Sequence, residues 1–85
     1  MQQKSIFITG AASGIGRATA ELFHAKGWLV GCYDLNANAL EGLQKDLGEH
    51  CLIGVLDVRD KAAFDTAMGE FSEQSDGRLV LMFNN

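Results

Sequence analysis

Apolar positions along the chain change period several times, and each change falls at glycine, asparagine or aspartate, so runs suited to strands alternate with stretches suited to helices. Ser5 to Thr9 (SIFIT) is a β-branched and aromatic run closed at once by Gly10, which predicts a buried strand. From Ile15 onward Ala18, Leu22 and Phe23 recur at helical spacing until Lys26 and Gly27, a cationic last turn followed by a glycine stop. Trp28 to Tyr33 (WLVGCY) reads as a second strand ending at Asp34. Asn36 can cap a second helix whose buried stripe is Leu40, Leu43 and Leu47, closed by Gly48. Cys51 to Leu56 (CLIGVL) is a third strand ending at Asp57. Asp60 can cap a third helix with Phe64, Ala67, Met68 and Phe71 on one face, followed by a loop over Ser72 to Gly77. Leu79 to Phe83 (LVLMF) completes the series as a fourth strand.

The order β-α-β-α-β-α-β, with strands apolar on both faces, is how parallel strands covered by helices on both sides read. Right-handed crossovers place the first strand centrally with the fourth beside it. The expected fold is therefore α/β, the first half of a doubly wound, Rossmann-type parallel sheet of strand order 3-2-1-4 with three helices. At 85 residues the chain is shorter than the ~100–150 most common for a domain. Residues 1–85 thus form one incomplete domain, with no second, substrate-binding domain. Helices one and two would cover one face and helix three part of the other, leaving the outer edge 79–83 bare and able to pair with another chain.

Net charge is −4, which repels nucleic acid phosphates. The balance is uneven: residues 1–33 carry Lys4, Arg17 and Lys26 against Glu21 alone, so an anion would sit more easily at the amino-terminal end. Cys32 and Cys51 are too far apart for a CxxC motif and suggest neither a disulfide framework nor a zinc site, which fits a reducing, cytoplasmic setting. No apolar run approaches the ~18 residues of a membrane helix, and the opening MQQKSIFITG lacks the features of a signal peptide.

Candidate chemistry concentrates in the turn Thr9-Gly10-Ala11-Ala12-Ser13-Gly14-Ile15-Gly16, between the first strand and first helix. Unpaired N–H groups at a helix start carry partial positive charge, and glycine lets phosphates approach the backbone without a Cβ in the way. Gly14 and Gly16 would also let the helix start lie close to the strand. Only three residues separate Gly10 from Gly14 and no lysine follows, so the nucleoside triphosphate loop GxxxxGK[ST] is excluded and a dinucleotide diphosphate is the better guest. Asp34 ends the second strand twenty residues after Gly14, where a carboxylate can accept both hydroxyls of an adenosine ribose. It would repel a 2′-phosphate, and neither Ser13 nor Leu35 is basic, so NAD is expected over NADP. Arg17, the nearest cation, is expected to face solvent or the diphosphate. Asp57 can accept from an adenine amino group while the backbone around Val58 meets the ring edge, though aspartate is also ordinary at a strand end.

Together these residues closely resemble the short-chain dehydrogenase/reductase family, from the first strand to the last residue. Thr9-Gly10-xxx-Gly14-Ile15-Gly16 is similar to that family's TGxxxGIG loop, Asp57-Val58 to its adenine-contacting pair, and Gly77-Arg78-Leu79 to Asn84-Asn85 to the lead-in of its NNAG motif. The resemblance implies NAD(P)-dependent hydride transfer to or from an alcohol or carbonyl. It implies that Gly10, Ser13, Gly14, Ile15 and Gly16 lie against the phosphates and adjoining ribose, Asp34 and Leu35 at the adenosine ribose, and Asp57 and Val58 at the adenine. Asn85 would lie near the cofactor ribose, and Asn84 would brace the sheet.

The sequence departs from the family pattern by ending inside NNAG, without the family's catalytic Ser and Tyr-xxx-Lys pair. Tyr33 is the only tyrosine and has no lysine three or four residues on, so no catalytic residue is assigned and the chain reads as an amino-terminal, cofactor-binding fragment. Two other classes stay open: an S-adenosylmethionine-binding methyltransferase-like half, against which Thr9 argues, and a non-catalytic nucleotide-binding or association module. His24 and His50 are expected in solvent and Cys32 and Cys51 in the core.

Overall fold

A computed structural model describes residues 3–76 and 79–85. Four strands, β1 (Ser5–Thr9), β2 (Leu29–Asp34), β3 (Cys51–Val55) and β4 (Leu79–Asn84), alternate with three helices, α1 (Gly14–Ala25), α2 (Ala37–Leu47) and α3 (Lys61–Gln74). All strand pairs are parallel and the order is β3-β2-β1-β4, as the crossover rule requires.

Strand alternation sorts the core into two layers. Ile6 and Ile8 of β1, Val30 and Cys32 of β2 and Cys51 of β3 pack with Ala20 of α1 and with Leu40 and Leu43 of α2. Phe7 and Tyr33 point to the opposite face, against Phe71 of α3 and Leu56. There Phe7 stacks on Tyr33 with ring centroids 4.5 Å apart, and Phe71 meets Phe7 edge-on at 5.6 Å. Burial pushes the Tyr33 phenol up to about 12, with Glu70 and Cys32 adding to the shift. The face covered by α3 needs two glycines. A Cβ on Gly31 would lie 2.4 Å from the Phe71 ring, and one on Gly54 would lie 2.6 Å from that of Tyr33.

Three sequence expectations shift. The buried stripe of α1 is Gly16 and Ala20 with Phe23 partly covered, whereas Ala18 is exposed and Leu22 is 54% exposed. The helix meets the sheet on its smallest residues, because its first turn lies against the backbone of the preceding loop. α3 runs three residues into the stretch read as loop, and Ser75 N–H still closes on the Phe71 carbonyl. β2 starts one residue later than expected, because Trp28 instead packs edge-on against Phe23 at 4.7 Å. Gly77 and Arg78, in the stretch likened to the NNAG lead-in, lie outside the described residues. On β4, Leu81 and Met82 are 42% and 47% exposed.

Candidate functional site

The carboxyl ends of β1, β2, β3 and β4 converge on a hollow of about 180 Å³ lined by Gly10, Asp34, Leu35, Leu56, Asp57, Val58, Arg59 and Asn85. Five of the expected site residues other than the glycine turn therefore share one cavity with Gly10. A larger open hollow of about 360 Å³ lies between Val55 and α3, away from the turn and its amides.

The turn is built around the Gly10 carbonyl. Gly10 itself has φ +65°, in the left-handed region that glycine tolerates best. Its carbonyl accepts from Ser13 N–H at 3.1 Å, from the Ser13 hydroxyl at 2.7 Å and from Asn85 Nδ2 at 3.3 Å. Asn85 Nδ2 also donates to Ser13 Oγ at 2.5 Å. A Cβ on Gly16 would lie 2.0 Å from the same carbonyl oxygen, so α1 can start here only because residue 16 has no side chain. Gly14 differs from expectation. A Cβ there would meet no protein atom within 4 Å, so its lack of side chain is not needed for helix packing and leaves open space beside the loop.

That open space faces unpaired donors. The N–H groups of the first helical turn have no intrahelical acceptors, and Ser13, whose hydroxyl is turned to Gly10, gives α1 no side-chain cap. The other two helices are closed by their own sequence: Asn36 accepts from Ala39 N–H at 3.0 Å and Asp60 from Ala63 N–H at 3.1 Å. Ile15, in the first turn, is 66% exposed.

Asp34 occupies the junction of the turn and β2. Its Oδ2 accepts from Ala12 N–H at 3.0 Å and its Oδ1 from Asn36 N–H at 3.1 Å. An ionised carboxylate offers about four acceptor positions, two on each oxygen. One position per oxygen is therefore left over, which matches a vicinal diol donating two hydroxyls. The bond to Ala12 withdraws one amide of the turn and the Gly10 carbonyl takes that of Ser13, so the amides left for an outside acceptor begin at Gly14.

Asp57 is held differently. Arg59 donates Nε to Oδ1 at 3.0 Å, Nη2 to Oδ2 at 2.9 Å and its backbone N–H to Oδ1 at 3.0 Å. Those bonds hold the Asp57 carboxyl down to about 2. Arg59 was not singled out by sequence; its position two residues after Asp57, within reach of the carboxylate across a tight turn, was the available signal.

Of the two placements expected for Arg17, solvent or the diphosphate, the structure shows the exposed one. Arg17 Nε pairs with Glu21 at 3.0 Å and its Nη2 with Asp46 at 2.5 Å, so it ties α1 to α2 and is committed away from the turn. Lys4 lies over the Trp28 ring, 5.6 Å from its centroid, and Lys26 caps the far end of α1. The basic side chains of the first 33 residues are thus spread away from the loop, and its positive potential comes from backbone amides. Asn84 accepts from the Thr9 hydroxyl, tying β4 to β1. His24 Nε2 meets the Glu49 carbonyl at 2.8 Å rather than only solvent, and the buried Cys32 and Cys51 sulfurs lie 4.0 Å apart.

The family model of the short chain dehydrogenases matches residues 4–85. A sorbitol dehydrogenase from Cereibacter sphaeroides is 34% identical over 82 residues, covering 96% of this chain and 32% of that protein. The 2,3-dihydro-2,3-dihydroxybenzoate dehydrogenase of Bacillus subtilis is 40% identical over 87 residues, covering 99% and 33%. Among solved structures, a 3-ketoacyl-(acyl-carrier-protein) reductase from Brucella melitensis complexed with NADH superposes with a TM-score of 0.87 at 26% identity, over 95% of this chain and 33% of that one. The chain spans about a third of the length of these curated relatives. With its parallel sheet, its glycine turn and this match over nearly all of its residues, the chain belongs to the short-chain dehydrogenase family.

Proposed function

We propose that this chain is the amino-terminal, dinucleotide-binding part of an NAD(P)-dependent oxidoreductase that moves hydride between its cofactor and an alcohol or carbonyl. The observation that carries the reading is Asp34. Two backbone amides orient its carboxylate at the mouth of the hollow and leave one acceptor position on each oxygen. The uncapped start of α1, with open space beside Gly14, suits the diphosphate attached to such a sugar. In this arrangement Gly10, Ser13, Gly14, Ile15 and Gly16 form the phosphate turn, Asp34 and Leu35 meet the adenosine ribose, and Asp57 and Val58 meet the adenine. Asn85 supports the turn from beneath, close to the adjoining ribose. When bound, the nicotinamide ring supplies the hydride chemistry; this chain's residues grip and orient the adenosine half.

NAD is favoured over NADP. A 2′-phosphate would meet the Asp34 charge, and the two arginines among the described residues are engaged, Arg17 by Glu21 and Asp46 and Arg59 by Asp57. No residue of this chain is assigned to proton transfer, since Tyr33 is buried against Phe7. The exposed β4 positions Leu81 and Met82 suit pairing with a further strand or a second chain. Buried free cysteines suit a reducing, cytoplasmic compartment. No described helix is long and apolar enough to cross a membrane.

Calorimetric titration with NAD⁺, NADP⁺ and S-adenosylmethionine tests the reading. Saturable binding of NAD⁺ that exceeds NADP⁺ is the expected result. Binding of S-adenosylmethionine alone would move the chain to the methyltransferase-like class, and a stable dimer that binds none of the three would make it an association module.

A further inference from the structure

The pair Asp57 and Arg59 lines the same hollow as Asp34, yet as a stabilising contact it is weak. The Arg59 side chain is 82% exposed, and exposed ion pairs contribute little to folding. What the pair fixes is direction. Three donors from one residue take three of the roughly four acceptor positions of the carboxylate, two on Oδ1 and one on Oδ2. A single position remains, on Oδ2. Two of the three donors form a planar fork, which a lysine cannot reproduce.

We propose that Arg59 is a positioning residue that presents Asp57 to the base as one fixed, acceptor-only oxygen, and so selects a purine with a 6-amino donor over one with a 6-oxo acceptor. The inference rests on the dinucleotide reading above. A carboxylate held ionised cannot turn into a donor, so it meets a 6-oxo group with like partial charge. Freed from Arg59, the carboxylate can rotate away from the 6-position, toward solvent or toward the N1–H that a 6-oxo purine carries, and the preference for adenine falls. Asp34, which lines the same hollow, and Asp60, three residues after Asp57, accept from the amides of Ala12, Asn36 and Ala63.

The test compares NAD⁺ with nicotinamide hypoxanthine dinucleotide, in which a 6-oxo group replaces the 6-amino group and N1 becomes a donor, by titration of the wild type, Arg59→Gln, Arg59→Lys and Asp57→Asn. The wild type should prefer NAD⁺ by about 10–100-fold, the range expected of one hydrogen bond to a charged group. Arg59→Gln should bring the ratio to within about 3-fold, Arg59→Lys should fall between, and Asp57→Asn should abolish the preference, since an amide both donates and accepts. Arg59→Gln in the Asp57→Asn background should then change nothing further. A merely structural role would weaken both nucleotides alike, and an unchanged ratio in Arg59→Gln or Arg59→Lys overturns the proposal. A carboxyl carbon NMR titration of Asp57 needs no nucleotide. Its midpoint should be about 2 in the wild type and should rise toward the usual carboxylate range in Arg59→Gln. No rise overturns the clamp while leaving the dinucleotide reading intact. Failure of the wild type to bind NAD⁺ removes that reading and this one with it.

Discussion

Replacing Gly16 by alanine separates packing from binding when it is set beside the same change at Gly14. The new methyl at position 16 would sit 2.0 Å from the Gly10 oxygen, 2.7 Å from the Gly10 carbonyl carbon and 2.9 Å from Ala11 Cα. The closest of these is roughly 1.5 Å inside the ~3.5–4.0 Å at which non-bonded atoms rest, and all three are backbone atoms that cannot swing aside. Overpacking of this kind costs about 1–3 kcal/mol, and a backbone clash lies at the upper end of that range. Helix propensity returns about 1 kcal/mol for glycine to alanine, leaving a net loss of about 2 kcal/mol. At ~4–8 °C per kcal/mol for a domain of this size, Tm should fall by about 8–16 °C. At Gly14 nothing lies within 4 Å, so alanine there should leave Tm unchanged or slightly raised while placing a methyl in the proposed diphosphate seat. Thermal unfolding followed by circular dichroism, together with NADH titration, reads both quantities. Gly16→Ala should lower Tm and binding together, and Gly14→Ala binding alone. A Gly16→Ala chain as stable as the wild type would refute the packing, and a Gly14→Ala chain that binds NADH unchanged would refute the seat.

Asp34→Ala should weaken NAD⁺ binding by about 10–100-fold through loss of charged hydrogen bonds, and should bring NAD⁺ and NADP⁺ close to parity; an unchanged preference would take the ribose away from Asp34. Tyr33, the chain's one tyrosine, should ionise with a midpoint of about 12 by ultraviolet absorbance. Because its folded pKa is raised, that contribution to stability is whole below about pH 10 and is lost as pH rises through 12; a midpoint near 10 in the folded chain would contradict the buried ring stack. Gly31→Ala should destabilise by about 1–3 kcal/mol through its 2.4 Å approach to Phe71, with partial recovery when Phe71→Leu is added, as measured by urea unfolding.

Strand order and element type were readable because each strand is apolar on both faces and each helix is bounded by a cap or a glycine. Asn36 and Asp60 do cap α2 and α3, and the stripes Leu40, Leu43, Leu47 and Phe64, Ala67, Met68, Phe71 do face the sheet. α1 was misjudged because a stripe sought among large residues is invisible when the contact face is Gly16 and Ala20. Asp34, Asp57 and the glycine turn were legible as a group, since strand ends of a parallel sheet converge on one side. Their hydrogen bonds were not. That Asp34 spends one bond on Ala12, that Arg59 saturates most of Asp57 and that Arg17 is drawn off to Asp46 depend on side-chain directions that spacing does not encode.

Asn84 and Asn85 reach the first turn from β4, touching Thr9, Gly10 and Ser13 across sequence separations of 72 to 75 residues. Contacts so remote along the chain form late, after the costs of closing long loops have been met. During synthesis, a ribosome would expose the glycine segment long before the two amides that hold it in shape. Competence to take up nucleotide at the proposed seat should therefore wait for β4 to dock, making ligand uptake a reporter of that step.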